Sequence, residues 1–198
     1  MNSNIYLSPH FKLNEFTKSR TARQHGIDNT PPPEAVEKLR ALCVHTLEPL
    51  REELGLPIII TSGYRCKALN ERITHHSATS QHMRGEAADF VVQGSKFKVQ
   101  GAKFKDQSSK FKVQGSKFNE AEPNAEVKEQ GENHRELLIK AFRTIILNDN
   151  IDFDQLIIYL DFIHVSYESR DKNRHRITKA NGHGHYRALT REEALELM

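Results

Sequence analysis

The sequence predicts an α+β fold, with helices packed on a small antiparallel sheet and a low-complexity insertion. Three observations carry that expectation. Apolar residues recur at helical spacing through 36–54 and again through 134–147. Short apolar runs bounded by turn residues fall at 56–62, 86–92, 152–160 and 162–168. Their order along the chain groups several helices onto one sheet, and a repetitive stretch of different composition interrupts it.

The elements follow in order. LNEFTKS (13–19) is a short helix. GIDNTPPP (26–33) is a turn, and Pro31 to Pro33 open a long helix, because proline is tolerated in a first turn. Val36, Leu39, Cys43, Leu47, Leu50 and Leu54 form its apolar stripe, Pro49 is expected to kink it, and Gly55 stops it. Cys43, on that stripe, is expected to be a buried small hydrophobe. LPIIITS (56–62) is a buried strand. GYRCKALNERI turns into a helix, and ITHHSATSQHMRG is a loop. EAADFVV (86–92) is a strand with Ala87, Asp89 and Val91 on one face. HRELLIKAFRTIIL (134–147) is an amphipathic helix. DFDQLIIYL and FIHVSYE are two strands joined tightly. The tail from Arg170 is basic and turn-rich and ends in a short helix.

Residues 94–118 repeat a seven-residue unit, with Phe97, Phe104, Phe111 and Phe118 in register. The repeat holds seven lysines and one acid, Asp106. Without it the chain carries 22 basic and 25 acidic residues, so the formal charge of +3 belongs to the repeat. Net charge is therefore no argument for nucleic-acid binding, and no nucleic-acid partner is expected. With the acidic stretch after it, 94–133 reads as a disordered insertion at a surface loop of a single domain formed by 1–93 and 134–198. Lysine interleaved with phenylalanine also suits contact with an anionic polymer, but a duplicated insert without a role is the expectation carried forward.

Two cysteines without CxxC spacing suggest no disulfide framework. No apolar run is long enough to span a bilayer, so no membrane insertion is expected. The N-terminal residues lack a basic segment followed by an apolar one, so no secretory signal is read.

The chemistry concentrates in SQHMRGEAADF, Ser80 to Phe90. His82 and Asp89 are good zinc ligands, and a catalytic zinc site needs three protein ligands and an open position. Gly85 allows a sharp turn between them, and Ala87 and Ala88 leave room. The third ligand is expected to be His164, a histidine inside an apolar strand, where it needs a partner. Asp161 lies three residues earlier, so both reach one site only if Asp161 sits in a turn or bulge. A carboxylate placed there suits a general base for metal-assisted hydrolysis.

Ser80–Asp89 fits S-x-H-x-x-G-x-A-x-D at every fixed position, and Asp161–His164 fits an acid-x-x-H signature. SGYRCKALN (62–70) fits S-G-Y-R-x-x-x-x-N. Together they resemble the zinc D-Ala-D-Ala carboxypeptidase and dipeptidase family, which cleaves peptidoglycan peptides. The N-terminal LSPHFKLNEFTKSRTARQHGIDNTPP resembles a bacterial and phage subgroup. The resemblance covers about 7–93 and 134–188. It implies one Zn2+ held by His82, Asp89 and His164, with Asp161 as general base in place of the glutamate of some members. It implies that Arg65 holds a substrate carboxylate or the developing oxyanion, and that Ser80 contacts substrate or a ligand. The expected activity is that of a zinc metallopeptidase on peptidoglycan stem peptides, as a D-Ala-D-Ala carboxypeptidase or an endopeptidase or endolysin. The alternative is a non-catalytic zinc-containing cell-wall-binding module of the same fold. Such a substrate lies outside the cytoplasmic membrane, so action at the cell wall by an unseen export route is expected.

Other candidates carry blander expectations. His75 and His76 are expected in a solvated loop. His183 and His185, in NGHGHYR, are expected in a flexible turn and not in a second metal site. Cys66, beside Arg65, is a candidate to line the pocket.

Overall fold

A computed structural model describes residues 5–74, 76–94, 133–182 and 184–197. The expected insertion falls outside the described residues apart from Gly94 and Asn133, as do His75 and His183.

The expected mixture of helices and strands is present, and the main sheet is larger and more mixed than the sequence suggests. β1 (Tyr6–Ser8) and β2 (Phe11–Lys12) form a two-stranded hairpin. The main sheet uses β3 (Ile58–Ser62), β4 (Ala87–Val92), β5 (Gln155–Ile158), β6 (Ile163–Ser166), β7 (Arg176–Ala180) and β8 (Tyr186–Ala188). Its order is β3-β4-β6-β5-β7-β8, and every neighbour is antiparallel except the parallel pair β5–β7. The tail expected to be only turns and a helix thus supplies two strands. RITKA and YRA lack the apolar alternation of a half-buried strand. Their pairing comes from backbone hydrogen bonds, which side-chain pattern does not report.

The long helix begins at Pro33 and ends at Gly55, whose φ of +62° makes the left-handed cap. Its middle is not regular. α3 (Pro33–Leu42) passes through a π turn at Cys43–Leu47 into α4 (Glu48–Leu54). Pro49 has no N–H to give to the carbonyl of His45. The backbone N–H of Asp152 takes that carbonyl instead, at 3.0 Å. The expected kink is therefore a wide turn whose freed acceptor ties the helix to the segment before β5. Cys43 is fully buried there, and burial pushes its thiol ionisation far up.

α6 (His134–Leu147) starts at Asn133, whose side chain accepts from the N–H groups of Arg135 and Glu136 while Glu136 caps in return. It buries Leu138, Ala141, Phe142 and Ile145 against the sheet and α4. Strand alternation then sorts the sheet. Ala88, Phe90, Leu156, Ile158, Ile163 and Val165 face the helices and are almost wholly buried. Asp89, His164, Ile157 and Tyr159 alternate with them and face a cleft of about 860 Å3. The remaining helices are short: α1 (Leu13–Thr17), α2 (Arg20–Gln24), α5 (Lys67–Asn70) and α7 (Arg191–Leu195).

Candidate metal centre

Asp89 and His164 are direct cross-strand partners on β4 and β6, so their side chains leave the sheet side by side. His82 comes from a 3-10 turn, Gln81–Arg84, that leads into β4. His82 Nε2 lies 3.2 Å from His164 Nδ1 and 3.3 Å from Asp89 Oδ1. His164 Nδ1 donates to Asp89 Oδ1 at 2.8 Å. A tetrahedral ion with bonds of about 2.0–2.1 Å needs ligand atoms about 3.3 Å apart. Two of the three separations already have that value, and the third is a hydrogen bond that opens when an ion replaces its proton. The three donors are the one group among the described residues that can hold a metal.

The protonation states suit an ion as well. His82 Nδ1 donates to the carbonyl of Gly63 at 2.7 Å, so the neutral ring keeps its Nε2 lone pair toward the centre. Burial holds the His82 pKa below its usual value, against the pull of Asp89, and favours that neutral ring. Burial opposes ionisation of Asp89, but the His82 imidazole beside it and the hydrogen bond from His164 outweigh it and hold the carboxyl well below the ordinary range.

The turn carrying His82 is held from several sides. Gly85 has φ +75°, and a Cβ there would lie 2.4 Å from the carbonyl oxygen of Ala35 in α3. Only glycine allows that approach. Glu86, almost fully buried, accepts from Lys38 Nζ at 2.6 Å and Arg84 Nε at 2.7 Å. Gln81 Nε2 donates to Asp154 at 2.8 Å. Asp154 is fully buried at the start of β5 and also binds the guanidinium and backbone N–H of Arg174. Burial opposes its ionisation, but Arg174 and Gln81 prevail and lower its pKa to about 2.

Arg65 lines the cleft from the SGYR loop. Its Nε is buried without a hydrogen-bond partner, and no carboxylate among the described residues pairs with it. Burial lowers its pKa, with Asp89 and Tyr159 opposing. A half-buried guanidinium with a buried N–H left unpaired is ready to clamp an anion. Asn29 holds this loop: its Nδ2 donates to the carbonyl of Tyr64 at 3.0 Å, and its Oδ1 accepts from the N–H of Cys66 at 2.8 Å. Gly63 lets the loop pass Phe16, whose carbonyl oxygen would lie 2.5 Å from an added Cβ.

His82, Asp89, His164, Arg65 and Ser80 thus share one cleft. Asp161 is not among its lining residues. Asp161 does sit in the turn between β5 and β6, as its spacing from His164 requires, but its side chain is exposed. The turn is held by its backbone: His134 Nε2 donates to the Asp161 carbonyl at 2.9 Å, and Arg135 to that of Tyr159 at 2.7 Å. Cys66 packs against the hydrophobic core and does not line the cleft. His76 does line it. His185 lies in the β7–β8 connection, where its N–H donates to the Gly182 carbonyl. The sequence reading missed Gln81, Asp154, Arg174 and Asn29. Only the position of Gln81 inside the metal motif was a signal; Asn29 reads as an ordinary turn residue.

Residues 9–120 match the family described as Peptidase M15. That is more than half of the chain, and it includes His82, Asp89 and Arg65. The chain belongs to the M15 peptidase family. The matched stretch ends before His164, which the fold brings to the other two candidate donors from β6. No curated protein and no solved structure matches the chain. The family is one of peptidases, whose substrate is a peptide. No helix among the described residues is long and apolar enough to cross a membrane.

Proposed function

We propose that this M15 peptidase is a zinc metallopeptidase that hydrolyses peptide bonds of peptidoglycan stem peptides. The observation that carries the reading is the His82–Asp89–His164 triangle, with its near-tetrahedral spacing, beside Arg65, whose buried Nε has no partner. Zinc, when bound, supplies Lewis acidity toward a peptide carbonyl and an activated water. The chain does the rest. His82 keeps its lone pair on the centre through Gly63, and Asp89 and His164 complete the donor set. Arg65 takes a substrate carboxylate or the developing charge on the attacked oxygen, which suits trimming at a free terminus as a D-Ala-D-Ala carboxypeptidase does. An endopeptidase or endolysin cut uses the same groups on an internal bond. Ser80, on the cleft wall, offers a hydroxyl to the substrate backbone.

Asp161 serves as general base in this reading, and that role requires its exposed side chain to swing toward the cleft when substrate binds, with the turn backbone kept in place. The exposed position of Asp161 favours a second reading, a zinc-containing wall-binding module without catalysis. One experiment separates the two. Purified peptidoglycan fragments are incubated with wild type and Asp161→Ala, products are read by mass spectrometry, and zinc is measured on both proteins. Cleavage by wild type alone, with both proteins holding zinc, supports the peptidase, and the products name the bond. Zinc in both proteins and cleavage by neither supports the binding module. With a peptidoglycan substrate the protein would act at the cell wall, reached by an unseen route, and fractionation of the native host tests it: a strictly cytosolic pool throughout growth counts against it.

A further inference from the structure

The cleft floor is a sheet face, and its register sets which side chains stand beside the metal ligands. Asp89, His164 and Ile157 are paired across β4, β6 and β5, and Thr178 of β7 continues that row. Two residues along β5, about 6.8 Å further on the same face, stands Tyr159. Its neighbours there are Phe162, whose carbonyl accepts from the Tyr159 N–H at 3.0 Å, and Tyr186 of β8. The hydroxyls of Tyr159 and Tyr186 meet at 3.2 Å.

Tyr159 is fixed on every side. Its ring stacks on Phe162 with centroids 4.2 Å apart and planes 13° apart. Tyr186 meets it edge-on at 86°. Arg135, in the first turn of α6, holds its carbonyl at 2.7 Å. Two phenols in one contact have two hydrogens, and only one lies between the oxygens. The other is left for an acceptor in the cleft that both rings line. Burial keeps the Tyr159 phenol protonated, and with Tyr186 as donor in their contact the Tyr159 hydrogen stays free for the cleft.

We propose that Tyr159 is a catalytic residue that donates its phenolic hydrogen to the carbonyl oxygen of the scissile peptide as that oxygen gains charge, with Tyr186 as the positioning residue that orients the phenol. The assignment rests on the peptidase reading above. It gives the cleft two donors for one oxygen, Arg65 from the loop side and Tyr159 from the sheet. No proton is transferred: the hydrogen bond shortens as charge develops and relaxes when product leaves. Such a donor is stronger toward the transition state than toward bound substrate, so its loss is read in kcat and not in KM.

Tyr159→Phe keeps the ring stack and removes the hydroxyl. Tyr186→Phe changes a residue that is 55% exposed and leaves the fold unthreatened. Both are assayed as full-length zinc-loaded protein on purified stem tetrapeptides and pentapeptides, with zinc content and melting temperature measured in parallel. The expected result is a fall in kcat of about 100-fold for Tyr159→Phe and about tenfold for Tyr186→Phe, with KM, zinc content and melting temperature close to wild type. Wild-type kcat in Tyr159→Phe overturns the assignment while leaving the peptidase reading in place. So does a loss confined to KM, or a kcat loss that tracks lost zinc or stability. A zinc-loaded wild type that cleaves no peptide overturns the peptidase reading and this assignment together.

Discussion

Gly85→Ala measures how firmly the fold wedges the His82 turn. Gly85 has φ +75°, and a Cβ there meets Ala35 of α3 at 2.4 Å from the carbonyl oxygen and 3.0 Å from Cα. The obstacle is helix backbone, which no rotamer change removes. A side chain in the left-handed region costs about 1–2 kcal/mol, and overpacking adds about 1–3 kcal/mol. The sum is about 2–5 kcal/mol, or roughly 4–20 °C of melting temperature for a chain of this length. Gly55→Ala is the matched control. Gly55 has φ +62° with nothing within 4 Å of its added Cβ, so only the backbone cost of about 1–2 kcal/mol applies. Thermal unfolding by circular dichroism and zinc affinity by chelator competition are measured on both. Gly85→Ala is expected to lose more stability than Gly55→Ala and to bind zinc at least about tenfold more weakly, with Gly55→Ala binding zinc as wild type does. Equal stability losses and wild-type zinc affinity in both variants would refute the wedge.

Asp154→Asn addresses the buried anchor behind Gln81. The native pKa of Asp154 is lowered from 3.8 to about 2, so its stabilisation is complete above about pH 4 and is lost as pH falls through about 2. Urea unfolding at stepped pH is expected to show a wild-type loss of about 1–2 kcal/mol across that window, after allowance for the solvent around exposed Arg174. Asp154→Asn is expected to lack that part of the slope, and an unchanged slope contradicts the anchor. Removal of metal makes a further test. An ion at a thousandfold its dissociation constant stabilises the folded state by about 4 kcal/mol, so chelation is expected to lower the wild-type melting temperature by roughly 8–16 °C. His164→Ala is expected to melt at one temperature with or without zinc, and a variant that still responds to zinc locates the ion elsewhere.

Sequence alone determined the local chemistry of this protein. The spacing of His82, Gly85 and Asp89 picked out two candidate ligands and a glycine turn between them, because all three lie within one short stretch of chain. His164 stood out as an imidazole inside an apolar strand, and the alternation of β6 carries it to the cleft face. The span of α6 was legible from its apolar period, and the disturbance at Pro49 from the missing N–H. Tertiary structure alone decided what those residues meet. The Gln81–Asp154 bond joins residues 73 apart, and the Asn29–Cys66 bond residues 37 apart. Register across β5, β7 and β8 brought the Tyr159 and Tyr186 hydroxyls together. β7 and β8 exist through backbone pairing that their polar side chains do not announce. Asp161 shows the division within one motif. Its three-residue spacing from His164 named a turn, but the direction of a side chain in a turn depends on what holds the backbone. Here His134 and Arg135 of α6 hold it, leaving the Asp161 side chain exposed. Short-range pattern reports which groups are available, and long-range packing fixes which of them meet.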